Sequence, residues 1–210
     1  MEDVLDVYKR PYNPEYPVVC MDETSKQLTD EVRASITAKP GKSERQDTEY
    51  IRNGVCNIFL HCEPLTGKRH TSVTDHRKKS DWAVFIKGLV DEQYPTAKKI
   101  VLVMDNLNTH NGSSLYEAFA PEEAKRILDK LEIHYTPKHG SWLNVAEIEF
   151  SHLSRQCLDC RIPSQARLIK EVSAWTERRN KESITTNWQF TAEDARIKLK
   201  RLYPTIKSTC

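Results

Sequence analysis

The sequence predicts an α/β protein, a mixed sheet of about five strands flanked by helices. Three observations predict it. Short apolar runs of strand length stand apart from one another, above all Val18–Met21 and Ile100–Met104. Two further strand-like runs, Tyr50–Cys62 and Arg69–Thr74, meet across Glu63-Pro64-Leu65-Thr66-Gly67-Lys68, which has the chemistry of a hairpin turn. Segments with helical spacing of apolar residues then alternate with, and follow, the remaining strands. Composition sets the limits. A chain of 210 residues, 38% apolar and 30% charged, can bury roughly 70% of the surface its unfolded form exposes, which excludes disorder as a description of the whole. No run approaches the roughly 18 apolar residues of a membrane span, and Met1-Glu2-Asp3 does not begin a signal peptide, so a cytoplasmic protein is expected.

Taken in order, Pro11, Pro14 and Pro17 interrupt regular hydrogen bonding, and residues 1–17 read as a tether. Val18–Met21 reads as a buried strand ending at Asp22-Glu23, and the polar stretch from Thr37 to Thr48 as a loop before the meander. Ser80 or Asp81 caps a helix carrying Trp82, Phe85, Ile86 and Leu89, which closes near Pro95. Ile100–Met104, the strongest strand, ends at Asp105-Asn106. A helix follows from about Pro121 to Leu131, with Pro121 in its first turn, then a short strand over Ile133–Thr136. The loop 137–141 leads into a helix from Trp142 to about Leu158. Beyond Pro163 a helix over Gln165–Lys181 aligns Leu168, Ile169, Val172 and Trp175, and a basic helix spans 191–202. The expected organisation is a tether (1–17), a body (18–182) and a basic helical tail (183–210).

Charge is unevenly placed. Residues 151–210 carry 12 Lys and Arg against 6 Asp and Glu, whereas residues 1–150 carry 20 against 24. A basic end on an acidic body suits a polyanionic partner, and equally a solvated helical face. Six cysteines lack the density of a disulfide scaffold, and Cys157 and Cys160 have no second pair at zinc-site spacing, so these two read as ordinary buried or half-buried thiols.

The acids carry the chemistry. Asp22 and Asp105 each end an apolar strand. If those strands lie side by side and parallel, their ends stand one strand spacing apart, about 4.8 Å. Counted from Leu143 along the stripe Leu143, Ala146, Phe150 and Leu153, Glu147 falls on or beside the sheet-facing side and Glu149 points away. Carboxylates this crowded repel one another and take up protons unless a divalent cation neutralises them. Each acid also has a plainer role open to it, the two Asp as turn formers and Glu147 as partner to a basic side chain.

Three blocks carry a resemblance: Val18-Val19-Cys20-Met21-Asp22-Glu23, the run from Ile100 through Asp105-Asn106-Leu107-Asn108-Thr109-His110, and Tyr135-Thr136-Pro137-Lys138-His139-Gly140-Ser141-Trp142-Leu143-Asn144-Val145-Ala146-Glu147. With the later Asn187–Arg196 block, they closely resemble the catalytic domain of bacterial insertion-sequence transposases of the mariner-like DDE superfamily. The resemblance implies a ribonuclease-H-like fold. It implies catalytic, metal-binding Asp22, Asp105 and Glu147, holding two Mg²⁺ or Mn²⁺ ions. DNA is the implied partner, both transposon ends and target, with room for a homodimer on DNA and a place at the bacterial nucleoid. The implied activity is DNA strand cleavage followed by strand transfer from the freed 3′-hydroxyl. A nuclease without strand transfer and a non-catalytic DNA-binding remnant are the alternatives. Two features depart from the family: 41 residues separate Asp105 from Glu147, more than is usual, and no helix-turn-helix segment precedes residue 18.

Around the three acids, Asn106, Asn108 and His110 are candidates to orient water or phosphate, or form a turn. Lys138 and His139 can meet the scissile strand, or simply form an exposed charged loop. Trp142 can stack on an unpaired base or pack in the core. Arg196, Lys198, Lys200 and Arg201 can meet DNA phosphates without sequence preference.

Overall fold

The computed structural model describes residues 1–34, 36–43, 45, 47–107 and 109–203. Its five strands are β1 (Val18–Glu31), β2 (Tyr50–Glu63), β3 (Lys68–Thr74), β4 (Ile100–Met104) and β5 (Leu131–Tyr135). They form one mixed sheet in the order β3-β2-β1-β4-β5. The β1–β2 and β2–β3 pairs are antiparallel, as hairpin connections require, whereas β1–β4 and β4–β5 are parallel, as helical crossovers require. The five expected strands and their flanking helices are therefore present, and the strands that precede Asp22 and Asp105 are neighbours.

Strand alternation divides the core into two layers. Val18, Cys20, Val101 and Val103 point to one face, which is covered by α1 (Glu2–Tyr8), α5 (Val145–Leu153), α6 (Gln165–Glu182) and α7 (Ala192–Lys198). Val19, Met21, Leu102 and Met104 point to the other, covered by α2 (Lys79–Gly88), α3 (Gly112–Ala118) and α4 (Pro121–Asp129). All five residues of β4 are fully buried, which explains why the strand reads as an uninterrupted apolar run.

Several elements differ from the sequence expectation, each for a physical reason. β1 does not stop at Asp22 but runs to Glu31, because β2 continues to pair with it from Cys20↔Cys62 to Glu31↔Tyr50. Only its first residues have a partner on both sides, Val18 to Cys20 also pairing with Val101 to Val103 of β4. The apolar run marks that doubly flanked part and misses the half-solvated ribbon. The expected helix from Trp142 is broken into a 3₁₀ turn (Ser141–Leu143) and α5, and a π-turn (Ser154–Leu158) ends it. Asp81 sits inside the first turn of α2, where its carboxylate accepts from the Lys78 N–H at 2.7 Å.

Residues 1–17, which the sequence presents as a tether, begin with a packed helix, and the helical residues 192–198 pack with it. Residues 2–8 are the helix α1, with Val4, Leu5 and Val7 at most 1% exposed and joined in one core layer with Ala192 and Ala195 of α7. Arg196 binds Glu2 through two hydrogen bonds of 2.8 and 2.6 Å, so the two ends of the described chain hold each other. Only residues 9–17 behave as the prolines dictate. Leu5→Ala should therefore cost about 2–5 kcal/mol in urea unfolding, the range for a leucine removed from a packed core. A change below about 0.5 kcal/mol would restore the tether.

Candidate functional site

Asp22 and Asp105 each lie two residues past the last parallel pair, Cys20↔Val103. Alternation along β1 gives Asp22 the same face as Cys20, the face on which α5 lies. Asp22 is 7% exposed. Its Oδ1 accepts from the Glu23 N–H at 2.8 Å and its Oδ2 from Asn144 Nδ2 at 3.3 Å. Burial pushes its carboxyl up to about 7 against the pull of the Glu23 N–H, and the charges of Asp105, Glu147 and Glu23 add to the rise.

Asp105 is held by His110. The imidazole is buried, its Nδ1 2.5 Å from Asp105 Oδ1 and its Nε2 2.9 Å from Glu23 Oε2. The Nε2 contact is a close charge contact and not an aligned hydrogen bond. Trp82 stacks on the ring at 5.8 Å, and the Tyr135 hydroxyl donates to the His110 carbonyl at 2.9 Å. Burial alone would discharge this histidine, yet the two carboxylates outweigh it and raise the imidazole to about 9. His110 is thus a cation placed between two acids of the site. Glu23 has no place among the residues the sequence singles out. Its signal is adjacency: residues 22 and 23 point to opposite faces of β1, so one acid meets the α5 side while the other meets the loop after β4.

The helix-phase expectation is corrected at both glutamates. Glu149, expected to point away, is 2% exposed and bound by Arg69, with Nε at 2.6 Å and Nη2 at 3.0 Å, and by Arg179 at 3.1 Å. Burial would raise its carboxyl, but the two guanidinium groups hold it below the usual range. Leu143 belongs to the 3₁₀ turn, so phase cannot be counted from it. α5 starts at Val145, and its buried stripe is Ala146, Glu149, Phe150 and Leu153. Glu147 stands exposed in the first turn of α5, its charge nonetheless among those that raise Asp22.

Among the described residues, no three His, Cys, Asp or Glu side chains stand together closely enough to hold a metal ion as they are. The expected convergence of three carboxylates is incomplete because Asp105 is turned onto His110 and Glu147 is exposed. The donor set still suits a hard divalent cation. It is all carboxylate oxygen, and the buried Asp22 is crowded by like charge that such an ion would neutralise.

Beside Asp105 opens a cleft of about 470 Å³ lined by Asn106, Leu107, Thr136, Lys138, His139 and Ser141. Lys138 and His139 are exposed on a tight turn in which the Gly140 N–H donates to the Pro137 carbonyl at 2.8 Å. A side chain at Gly140 would meet Pro137 Cγ at 2.6 Å, so the turn requires glycine. His139 itself takes a left-handed φ of 62°. Trp142 is 44% exposed and meets Phe190 edge-on at 5.7 Å, which corrects the packed-core alternative. Asn108 lies outside the described residues. On α7 and the turn after it, the basic residues divide. Arg196 is engaged by Glu2, and Lys198 lies 3.4 Å from Asp194 and over the Phe190 ring. Lys200 and Arg201 are exposed and make no ion pair with any described residue.

A family model described as DDE superfamily endonuclease matches residues 17–169. The chain belongs to that family. Its fold is also that of solved Mos1 transposase structures. The Mos1 mariner paired-end complex with Mn superposes with a TM-score of 0.59 at 14% identity, over 86% of this chain and 54% of that one. The Mos1 transposase paired-end complex with left transposon end gives 0.58 at 13% identity, over 86% and 56%. The Mos1 strand transfer complex gives 0.59 at 12% identity, over 86% and 52%. The DDE-superfamily chain thus spans about half the length of the transposase chains it matches. No curated protein matches it. Among its described residues no helix is long and apolar enough to cross a membrane.

The two glutamates of α5 should behave oppositely in this endonuclease fold. Glu149→Ala leaves two buried arginines without their partner and should cost about 3–5 kcal/mol in urea unfolding. Glu147→Ala removes an exposed charge and should stay within about 0.5 kcal/mol of the parent. The reverse order would exchange their roles.

Proposed function

We propose that this chain is the catalytic domain of a transposase, cutting DNA strands and joining a freed 3′-hydroxyl to target DNA. The observation that carries the reading is the placement of Asp22 and Asp105 two residues past the last parallel pair of the central strands β1 and β4, with the charge of Glu147 acting on Asp22. Family membership and the Mos1 complexes support it. The chemistry is in-line displacement at phosphorus, first by water and then by the 3′-hydroxyl, without a covalent link to the protein. Asp22, Asp105 and Glu147 would hold two Mg²⁺ or Mn²⁺ ions, which when bound activate the nucleophile, neutralise the phosphate and stabilise the leaving oxygen.

The chain's own side chains supply position and charge. His110 fixes the Asp105 carboxylate and offsets part of the site's negative charge. Asn106, Lys138 and His139, at the cleft beside Asp105, are placed for the phosphates and sugar of the scissile strand. Trp142 offers an exposed ring for an unstacked base. Lys200 and Arg201 are the free cations for phosphates further along, while Arg196 and Lys198 are already partnered and contribute less. A homodimer on DNA would bring two such sites to two transposon ends.

The test is incubation of the chain with labelled transposon-end duplex and Mn²⁺, resolving nicks, double-strand breaks and joined products. Asp105→Asn should reduce all products to background while leaving DNA binding intact or slightly tighter, since less negative charge then faces phosphate. Binding should be salt-sensitive, with dissociation constants of order 10⁻⁴–10⁻⁶ M near physiological salt. Lys200→Ala and Arg201→Ala should each lower the salt slope by about 1. Cleavage at the parent rate in Asp105→Asn rejects the acid set, and nicks without joined products leave a nuclease. A sequence preference above about a hundredfold would place base readout within this chain.

A further inference from the structure

Asn144 is fully buried at the turn between Ser141–Leu143 and α5, and both ends of its amide are used. The Oδ1 accepts from the Ala146 N–H at 3.2 Å and caps α5, the helix that carries Glu147. The Nδ2 donates to the Met21 carbonyl at 2.8 Å and reaches Asp22 Oδ2 at 3.3 Å. A buried amide satisfied at both ends fixes the separation of the groups it binds, because slipping either one leaves a polar atom without a partner. Here those groups are the stretch of β1 bearing Asp22 and the first turn of α5. With the Glu23 N–H on Oδ1 and Asn144 on Oδ2, the plane of the Asp22 carboxylate is set by two donors.

The same turn is held from its other side. The Tyr8 hydroxyl donates to the Leu143 carbonyl at 2.7 Å and accepts from the Val145 N–H at 3.4 Å, so it grips the residues on either side of Asn144. Its ring lies 5.0 Å from that of Trp188. Tyr8 is the last residue of α1, which lies outside the segment 17–169 that matches the family.

We propose that Asn144 is a positioning residue that holds Asp22 and the start of the Glu147 helix in one register, and that Tyr8 of α1 is its brace. The inference rests on the catalytic reading of those acids. It assigns a role at the site to a helix within the residues that the sequence presents as a tether.

The test uses the full chain with two substitutions that spare the packing. Asn144→Ser keeps a capping oxygen of equal quality, but its hydroxyl stops short of Met21 and Asp22. Tyr8→Phe keeps the ring and removes only the hydroxyl. Three readouts are taken: Mn²⁺ affinity from the spin resonance of free Mn²⁺, kcat and KM for cleavage, and the thermal midpoint in chelator. Asn144→Ser should weaken Mn²⁺ binding by about 10–100-fold, the usual effect of losing an outer partner of a metal ligand. It should lower kcat with KM for DNA unchanged, and lower the metal-free midpoint by no more than the few degrees that one orphaned buried carbonyl costs. Tyr8→Phe should follow the same pattern at smaller size, and it carries the test alone if Asn144→Ser fails to fold. Parent-like Mn²⁺ affinity and kcat in the folded variants would overturn the inference and leave the catalytic reading standing, as would losses that vanish when each chain is assayed at the same interval below its own thermal midpoint. A parent chain that neither binds Mn²⁺ nor cleaves DNA would overturn the catalytic reading, and the inference with it.

Discussion

The parallel pairing of β1 with β4 at the centre of the sheet is the constraint on which the rest depends. It ends at Cys20↔Val103, which carries Asp22 and Asp105 past the paired region together and onto one level of the fold. Everything that packs on that face answers to this edge. α5 is anchored by Asn144 to the Met21 carbonyl, and α1 is anchored by Tyr8 to the turn that begins α5. Buried backbone and amide groups must find partners, so each of these bonds has one low-energy register. The acids inherit that register.

The fold separates its buried charges into two kinds. Glu149 is compensated in full by Arg69 and Arg179, and Arg69 also donates to the Gly67 and Ile184 carbonyls, tying the β2–β3 hairpin to the residues after α6. That cluster closes on itself and contributes to structure. Among the described residues Asp22 receives only an amide N–H and the long Asn144 contact while Asp105, Glu147 and Glu23 crowd it; His110 compensates Asp105 and Glu23. Acids left under-compensated at a cleft are where a ligand of opposite charge gains most. The contrast between residues 147 and 149, two positions apart on one helix, is the difference between an exposed acid without a basic partner among the described residues and one that holds a core together.

Much of this was legible in the residues, and the rest was not for definable reasons. The strands before Asp22 and Asp105 announce themselves because residues buried on both faces read as continuous apolar runs. β1 beyond Asp22 does not, because a two-stranded ribbon with one wet face needs no such run. α1 was masked by the prolines that follow it, although Val4, Leu5 and Val7 already carry an apolar side. α3 has only seven residues, with Leu115 as its one large buried side chain, too little for periodicity to register. The phase of α5 is not legible because its start is set by the Asn144 cap and not by the apolar stripe, and a shift of the counted origin moves a residue off its face. Tyr8 and Asn144 act through contacts over long sequence separations, which no local pattern encodes.

The central claim is that Asp22, Asp105 and Glu147 form a divalent cation site whose like charges cost the cation-free fold stability. The raised carboxyl of Asp22 fixes the sign. Its folded-state value of about 7 lies above the unfolded one, so stability is complete in acid and lost as pH rises toward and through 7. Thermal unfolding at pH 7.5 of the parent chain and Asp22→Asn, each with and without Mn²⁺, tests this directly. Without metal, Asp22→Asn should unfold at a higher temperature than the parent. Mn²⁺ at a hundredfold excess over its dissociation constant should stabilise the parent by about 2.7 kcal/mol and leave the variant almost unmoved. Equal shifts in both chains, or a metal-free variant less stable than the parent, would contradict the account.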